Sequence, residues 1–307
     1  HFSSFEANLP HLAYIVESAQ ISRALDLASS FSKYIERKTA YFENISFVDG
    51  QACVKTNNGS FYAPLVIAAD GANSLVRQQL PIEIEQDIYE HTAVIGNFAC
   101  EKNHLRTAYQ WFLENGDVLA LLPLPEKRVS MVWSTSAEHA SELESIAQKD
   151  PAQLSKILCS QAFGQVFEYL GQLSLLNTVQ TYPLKRQRAK QFIGPSDQPQ
   201  VILMGDAAHM MHPLAGQGLN LGLRDVRDLL KIISEKESFR TLQDRVLLRR
   251  YERLRASDVD AILWVTHQLH QLFLKNNPLF KFLRNTGMRL LNQQSSIKKQ
   301  LIAKALE

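Results

Sequence analysis

The spacing of apolar positions divides the chain into stretches of different character. Between His11 and Ser30, Leu12, Ile15, Val16, Ala19, Ala24, Leu25 and Ala28 recur near the helical period. That spacing predicts a helix over Ala13–Ser30. Lys38–Phe47 and Ala52–Thr56 then alternate as strands do, with Asp49-Gly50 and Asn57-Asn58-Gly59 as turns. Asp-Gly and Asn-Gly pairs tolerate positive φ and mark hairpins. Phe61–Ala69 is one apolar run, expected as a single buried strand that ends at Asp70-Gly71.

From Glu83 to Arg186 strand-like runs dominate: Thr92–Ala99, Ala108–Phe112, Val118–Leu122 and Val129–Ser134. A helical pair, Ala137–Ala147 and Pro151–Tyr169, precedes a further strand over Leu175–Leu184. Val201–Gly205 returns to a buried strand, Gln217–Lys236 is an amphipathic helix, and Leu242–Leu306 is helical by period, broken near Asn276-Asn277-Pro278. The pattern predicts an α/β fold carrying an inserted α+β sheet domain and a helical C-terminus. The expected segments are 11–82, 83–190 (with 1–10 contributing), 191–238 and 239–307, the first and third forming one domain.

Composition narrows the class. The 307 residues are 45% hydrophobic and 21% charged, as in ordinary globular proteins, and the net charge is +2. That balance gives no case for nucleic acid. Cys53, Cys100 and Cys159 are far apart in sequence and form no CxxC pair, which suggests reduced thiols in a cytoplasmic protein. No apolar run reaches the roughly 18 residues that span a bilayer. The first residues have no signal-peptide pattern and no initiating Met, so the sequence is expected to start inside a larger protein.

The candidate chemistry lies in Val201–Asp225, VILMGDAAHMMHPLAGQGLNLGLRD. A short apolar strand ends at Gly205-Asp206, where the carboxyl end of a parallel strand meets ligand in α/β folds. Glycine lets backbone approach a ligand closely, and the Asp206 carboxylate can accept hydrogen bonds from ribityl or ribose hydroxyls. Pro213, Gly216, Gln217 and Gly218 open a helix that continues through Leu219 and Asn220, and a helix start suits an anion. A bare GxG would be as well explained as punctuation. The longer pattern, closed by Asp225, makes that reading the weaker one.

This segment resembles the second flavin-contact motif of the p-hydroxybenzoate-hydroxylase type of FAD-dependent monooxygenase. HPLAGQGLNLGLRD is similar, more narrowly, to the ubiquinone-biosynthesis aromatic ring hydroxylases. Val66–Arg77 (VIAADGANSLVR) resembles the superfamily's Asp-Gly motif through Asp70, Gly71, Ser74 and Arg77; YPLKRQR and NPLFKFLRNTGMRLL agree with the narrower family. The resemblance implies a Rossmann-like FAD-binding domain interleaved with a β-sheet substrate domain. It implies FAD contacts from Asp70, Gly71, Gly205, Asp206, Pro213, Gly216, Gln217, Gly218, Leu219 and Asn220. It also implies NAD(P)H as co-substrate and hydroxylation of a polyprenyl-phenol ring by a flavin hydroperoxide. No GxGxxG occurs in the sequence, so the family's first βαβ unit is missing from this stretch. No side-chain nucleophile is needed, and no catalytic acid or base is assigned.

Other readings stand beside these. Trp111, Phe112 and Leu121–Leu124 are weak candidates for substrate contact, each better explained as core. His209 and His212 have a metal-compatible spacing but no third ligand nearby, and no metal is expected; a place near the flavin suits His212 better. His267 and His270 read as surface or interface residues. Residues 271–307 carry Lys275, Lys281, Arg284, Arg289, Lys298, Lys299 and Lys304 against Glu307. A solvated face is the commoner explanation of such a tail. Contact with an anionic membrane surface at the inner face, or with other quinone-biosynthesis proteins, is the sharper one. A homo-oligomer remains open, as do two alternative functions: a hydroxylase of a soluble aromatic acid, and a non-catalytic fragment acting as an assembly partner.

Overall fold

The computed structural model describes residues 3–5, 8–113, 116–211 and 218–274. The chain opens with α1 (Ser18–Ser30), followed by β1 (Phe42–Val48), β2 (Gln51–Thr56), β3 (Gly59–Ala63) and β4 (Val66–Ala68). The short α2 (Leu75–Gln78) leads to the long β5 (Ile84–Cys100), then β6 (Tyr109–Phe112), β7 (Val118–Leu124) and β8 (Arg128–Ser136). Helices α3 (Ala137–Lys149), α4 (Pro151–Ser160) and α5 (Gln165–Leu170) precede β9 (Leu173–Leu175) and β10 (Gln180–Ala189). The remainder comprises β11 (Ile193–Gly194), β12 (Val201–Leu203), β13 (His209–Met210), α6 (Gly218–Ser234) and α7 (Arg245–Leu274). The mixture of helices with parallel and antiparallel strands is the expected α/β class.

Two units form, each with its own core. One comprises residues 1–35, 92–182 and 268–307, the other residues 36–91 and 183–267. These units do not follow the expected segments: residues 11–35 group with the inserted sheet, and 239–267 with the strand–turn–helix unit. In the first unit the strand order is β5-β8-β7-β6, with β9 also paired to β5. Its core holds Phe98, Leu119, Leu121, Met131, Trp133, Leu154 and Leu158, all buried. Helix α1 begins five residues later than predicted and buries none of its residues. Glu17 keeps extended backbone at its start and accepts from the Gln20 N–H. The predicted helix over Pro151–Tyr169 is two helices, parted where Ala162, Phe163 and Gly164 all take positive φ.

In the second unit, β1, β2 and β3 form an antiparallel meander. The expected single strand Phe61–Ala69 is corrected here to two, because Pro64 has no N–H to donate to a ladder. Its first part stays with the meander, and its second, β4, joins β11 and β12. Strands β4 and β12 pair in parallel, Val66 with Val201, Ile67 with Ile202 and Ala68 with Leu203. Buried Phe192, Leu221, Leu248, Tyr251 and Val259 pack around them. Because the register is in step, both strands end at the same level. That places the Asp70-Gly71 turn beside the Gly205-Asp206 turn.

Residues 212–217 and 275–307 lie outside the described residues, so the expectations for His212, Pro213, Gly216, Gln217 and the basic tail fall there. Among the described residues no helix is long and apolar enough to cross a membrane.

Candidate functional site

Two glycine turns frame the candidate site. Gly71 has φ +84° and Gly205 φ +58°, left-handed backbone that favours glycine, and neither has any atom within 4 Å of where a Cβ would stand. Both turns therefore present bare backbone to open space. Asp70 does not face that space alone: its Oδ2 accepts from the Val76 N–H at 3.2 Å. Ser74 caps α2, its Oγ accepting from the Arg77 N–H at 3.0 Å.

Arg77 joins the two turns. Its side chain is buried, Nη1 donating to the Ala207 carbonyl at 2.6 Å and Nη2 to the Ala72 carbonyl at 2.8 Å. Gln187 on β10 donates to the same Ala72 carbonyl at 3.1 Å. Burial lowers the guanidinium's pKa, against the pull of Asp70. The residue was visible in the sequence motif, but its bridging role was not.

Behind the second turn lies a buried ionic cluster. Asp225 accepts at Oδ2 from the Gly205 N–H at 2.9 Å and from His209 Nε2 at 2.8 Å. At Oδ1 it accepts from Arg255 Nε at 2.7 Å. Burial alone would raise the Asp225 carboxyl, but His209, the Gly205 N–H and Arg255 outweigh it and hold it below its usual value. Arg255 goes the opposite way: burial disfavours its charge, yet Asp225 and Asp258 raise its pKa. The ring of His209 is thus turned to Asp225. Among the described residues no group of three metal-type side chains converges.

Asp206 stands differently. It is exposed, and desolvation by the protein around it raises its carboxyl above the ordinary range, with His209 and Lys185 opposing. A cleft of about 430 Å3 opens beside the first turn, lined by residues including Asn73, Arg77, Ile82, Gln86, Lys185 and Gln187. Helix α6 starts at Gly218, with Leu219 and Asn220 exposed on its first turn. Gly222, one turn on, lets the helix pass the second turn closely, since its Cβ position is 3.4 Å from the Gly205 Cα.

The structure thus brings together Asp70, Gly71, Gly205 and Asp206. Leu121 and Leu124 are core residues of the other unit, and Trp111 packs against that core while donating to Gln165 at 2.9 Å. Sequence reading missed Arg255 altogether. Its signal was a charged residue on the buried face that Leu248, Tyr251 and Val259 define.

The bare backbone at both turns, the exposed acceptor at Asp206 and the helix start at Gly218 fit a flavin with a hydroxylated side chain. Residues 42–264 match the FAD binding domain family. The chain is 30% identical over 308 residues to the 3-demethoxyubiquinol 3-hydroxylase of Escherichia coli (strain K12), covering 99% of this chain and 75% of that protein. It is also 30% identical over 339 residues to the human ubiquinone biosynthesis monooxygenase COQ6, mitochondrial, covering 96% of this chain and 70% of that one. The crystal structure of p-nitrophenol 4-monooxygenase PnpA from Pseudomonas putida DLL-E4 shares the fold, with TM-score 0.73 and 18% identity over 94% of this chain and 71% of that chain. The chain belongs to the family of FAD-binding monooxygenases that contains the ubiquinone-biosynthesis ring hydroxylases.

Proposed function

We propose that the protein hydroxylates the aromatic ring of a polyprenyl-phenol precursor of ubiquinone, using FAD and NAD(P)H. The observation that carries this reading is the in-step pairing of β4 with β12, which sets the two glycine turns side by side. Bound FAD, reduced by NAD(P)H, supplies the activated oxygen; one atom of dioxygen enters the ring and the other leaves as water.

The chain's own residues bind and orient. Gly71 and Gly205 would allow close backbone approach, and the Asp206 carboxylate would accept hydrogen bonds from ribityl hydroxyls. Gly218, Leu219 and Asn220 would hold the flavin ring, where the helix start would favour negative charge on the reduced ring. Pro213, Gly216 and Gln217 join the proposed flavin set by their place in the sequence motif alone. The unit holding the turns is the cofactor side, and the substrate side comes from residues 92–182 of the other unit. The basic 271–307 stretch meets the membrane surface in which a prenylated substrate resides.

Two measurements test this. The purified protein should carry flavin absorbance, and Asp206→Asn should weaken FAD binding without unfolding the chain. Cells lacking the protein should accumulate a prenylated, under-hydroxylated quinone precursor. Normal quinone pools in those cells would overturn the substrate, and a protein that takes up no FAD would overturn the reaction.

A further inference from the structure

We infer that Arg255 on α7 is a positioning residue for the flavin turn, acting on it through Asp225; the inference rests on the flavin reading above. Arg255 is fully buried and bonds to no atom of the Gly205–Ala207 turn itself. Its guanidinium is held on several sides. Nε donates to Asp225 at 2.7 Å, Nη1 to Asp228 at 2.9 Å and to Asp258 at 2.7 Å, and Nη2 points to the Leu221 carbonyl at 3.4 Å.

That arrangement fixes which oxygen of Asp225 faces which way. Oδ1 is taken by Arg255, so Oδ2 is left for the Gly205 N–H and His209. A carboxylate locked in plane holds the Gly205 N–H in one direction, and the next side chain along is Asp206. The orientation of the expected ribityl acceptor is thereby set from a helix, α7, that begins only at Arg245.

Stability alone is a poor explanation for such a cluster. Apolar residues of similar volume often replace a buried ion pair at no loss of stability. They would not, however, aim a backbone N–H. Lysine would keep the charge of Arg255 but not the planar fork that reaches several carboxylates in fixed directions. Arg255→Lys therefore separates charge from geometry.

The test is a double-mutant cycle on the flavin-loaded protein with Arg255→Lys, Asp206→Asn and the two combined. FAD affinity is read by the quenching of flavin fluorescence, and folding by the thermal midpoint. Arg255→Lys should weaken FAD binding about tenfold, within the coupling found between directly networked groups. Combined with Asp206→Asn it should add little, because its effect passes through Asp206. An affinity within about twofold of wild type, or effects that simply multiply, would overturn the inference. Should Arg255→Lys fail to fold, Asp225→Asn with Arg255→Gln carries the same cycle, since the amide pair removes one charge of each sign and leaves the cluster's net charge unchanged. A wild-type protein that takes up no FAD overturns the flavin reading and this inference together. Wild-type binding with an indifferent Arg255→Lys overturns this inference alone.

Discussion

Arg77 donates from its buried guanidinium to the carbonyl of Ala207, 2.6 Å away and 130 residues further along the chain. With its second bond to Ala72 it ties the Asp-Gly turn to the Gly-Asp turn. Removing it takes the side-chain donor from the Ala207 carbonyl, while the Ala72 carbonyl keeps only Gln187. Arg77→Met should cost about 2–4 kcal/mol, read from the urea midpoint, and should weaken FAD binding as well. Arg77→Lys can restore one bond but not both, so an intermediate effect is expected. Wild-type stability in Arg77→Met would show that the two turns hold their places unaided.

Gly205 and Gly222 lie within contact of each other but differ in what they tolerate. Gly205 has positive φ, so Gly205→Ala should cost about 1–2 kcal/mol and place a methyl where the cofactor is expected. Gly222 is helical, and its Cβ position meets the Gly205 Cα at an ordinary van der Waals distance of 3.4 Å. Gly222→Ala should therefore stay within about 1 kcal/mol of wild type, helix propensity offsetting the tighter packing. Thermal melts and flavin titration of both variants would check the contrast.

Asp225 predicts a pH dependence. Its carboxyl is held below the ordinary value of 3.8, so around that pH the unfolded chain binds the proton more readily than the folded one. Stability from this group is complete above that value and is lost as pH falls through the lower folded pKa. Urea midpoints measured from about pH 5 downward should drop in the wild type. Asp225→Asn should be less stable at neutral pH but show a shallower acid limb. Parallel limbs would mean that other carboxylates govern acid unfolding.

Leu121 and Phe112, both offered by the sequence as substrate contacts, should separate cleanly. Leu121 is fully buried in its unit's core, and Leu121→Ala should cost about 2–5 kcal/mol. Phe112 is 41% exposed, so Phe112→Ala should change stability by about 0.5 kcal/mol or less. A raised KM with unchanged kcat in Phe112→Ala would mark it as a substrate contact, whereas unchanged kinetics would make it ordinary surface.

Much of this was legible in the sequence because it is local. Turn chemistry at Asp70-Gly71 and Gly205-Asp206, the apolar strand Val201–Leu203 and the helix after Gly218 depend on neighbours a few residues apart. Propensity and spacing report such features directly. The break at Pro64 was also written there, in a residue without an N–H, but the unbroken apolar run masked it.

Only the tertiary structure decided what joins the turns. The pairing of Ala68 with Leu203, the Arg77 bridge to Ala207 and the Arg255–Asp225–Gly205 chain link residues far apart in sequence. No local pattern encodes a partner at that distance. A buried arginine is tolerable only where carboxylates and carbonyls converge on it, and their convergence exists only once the chain has folded.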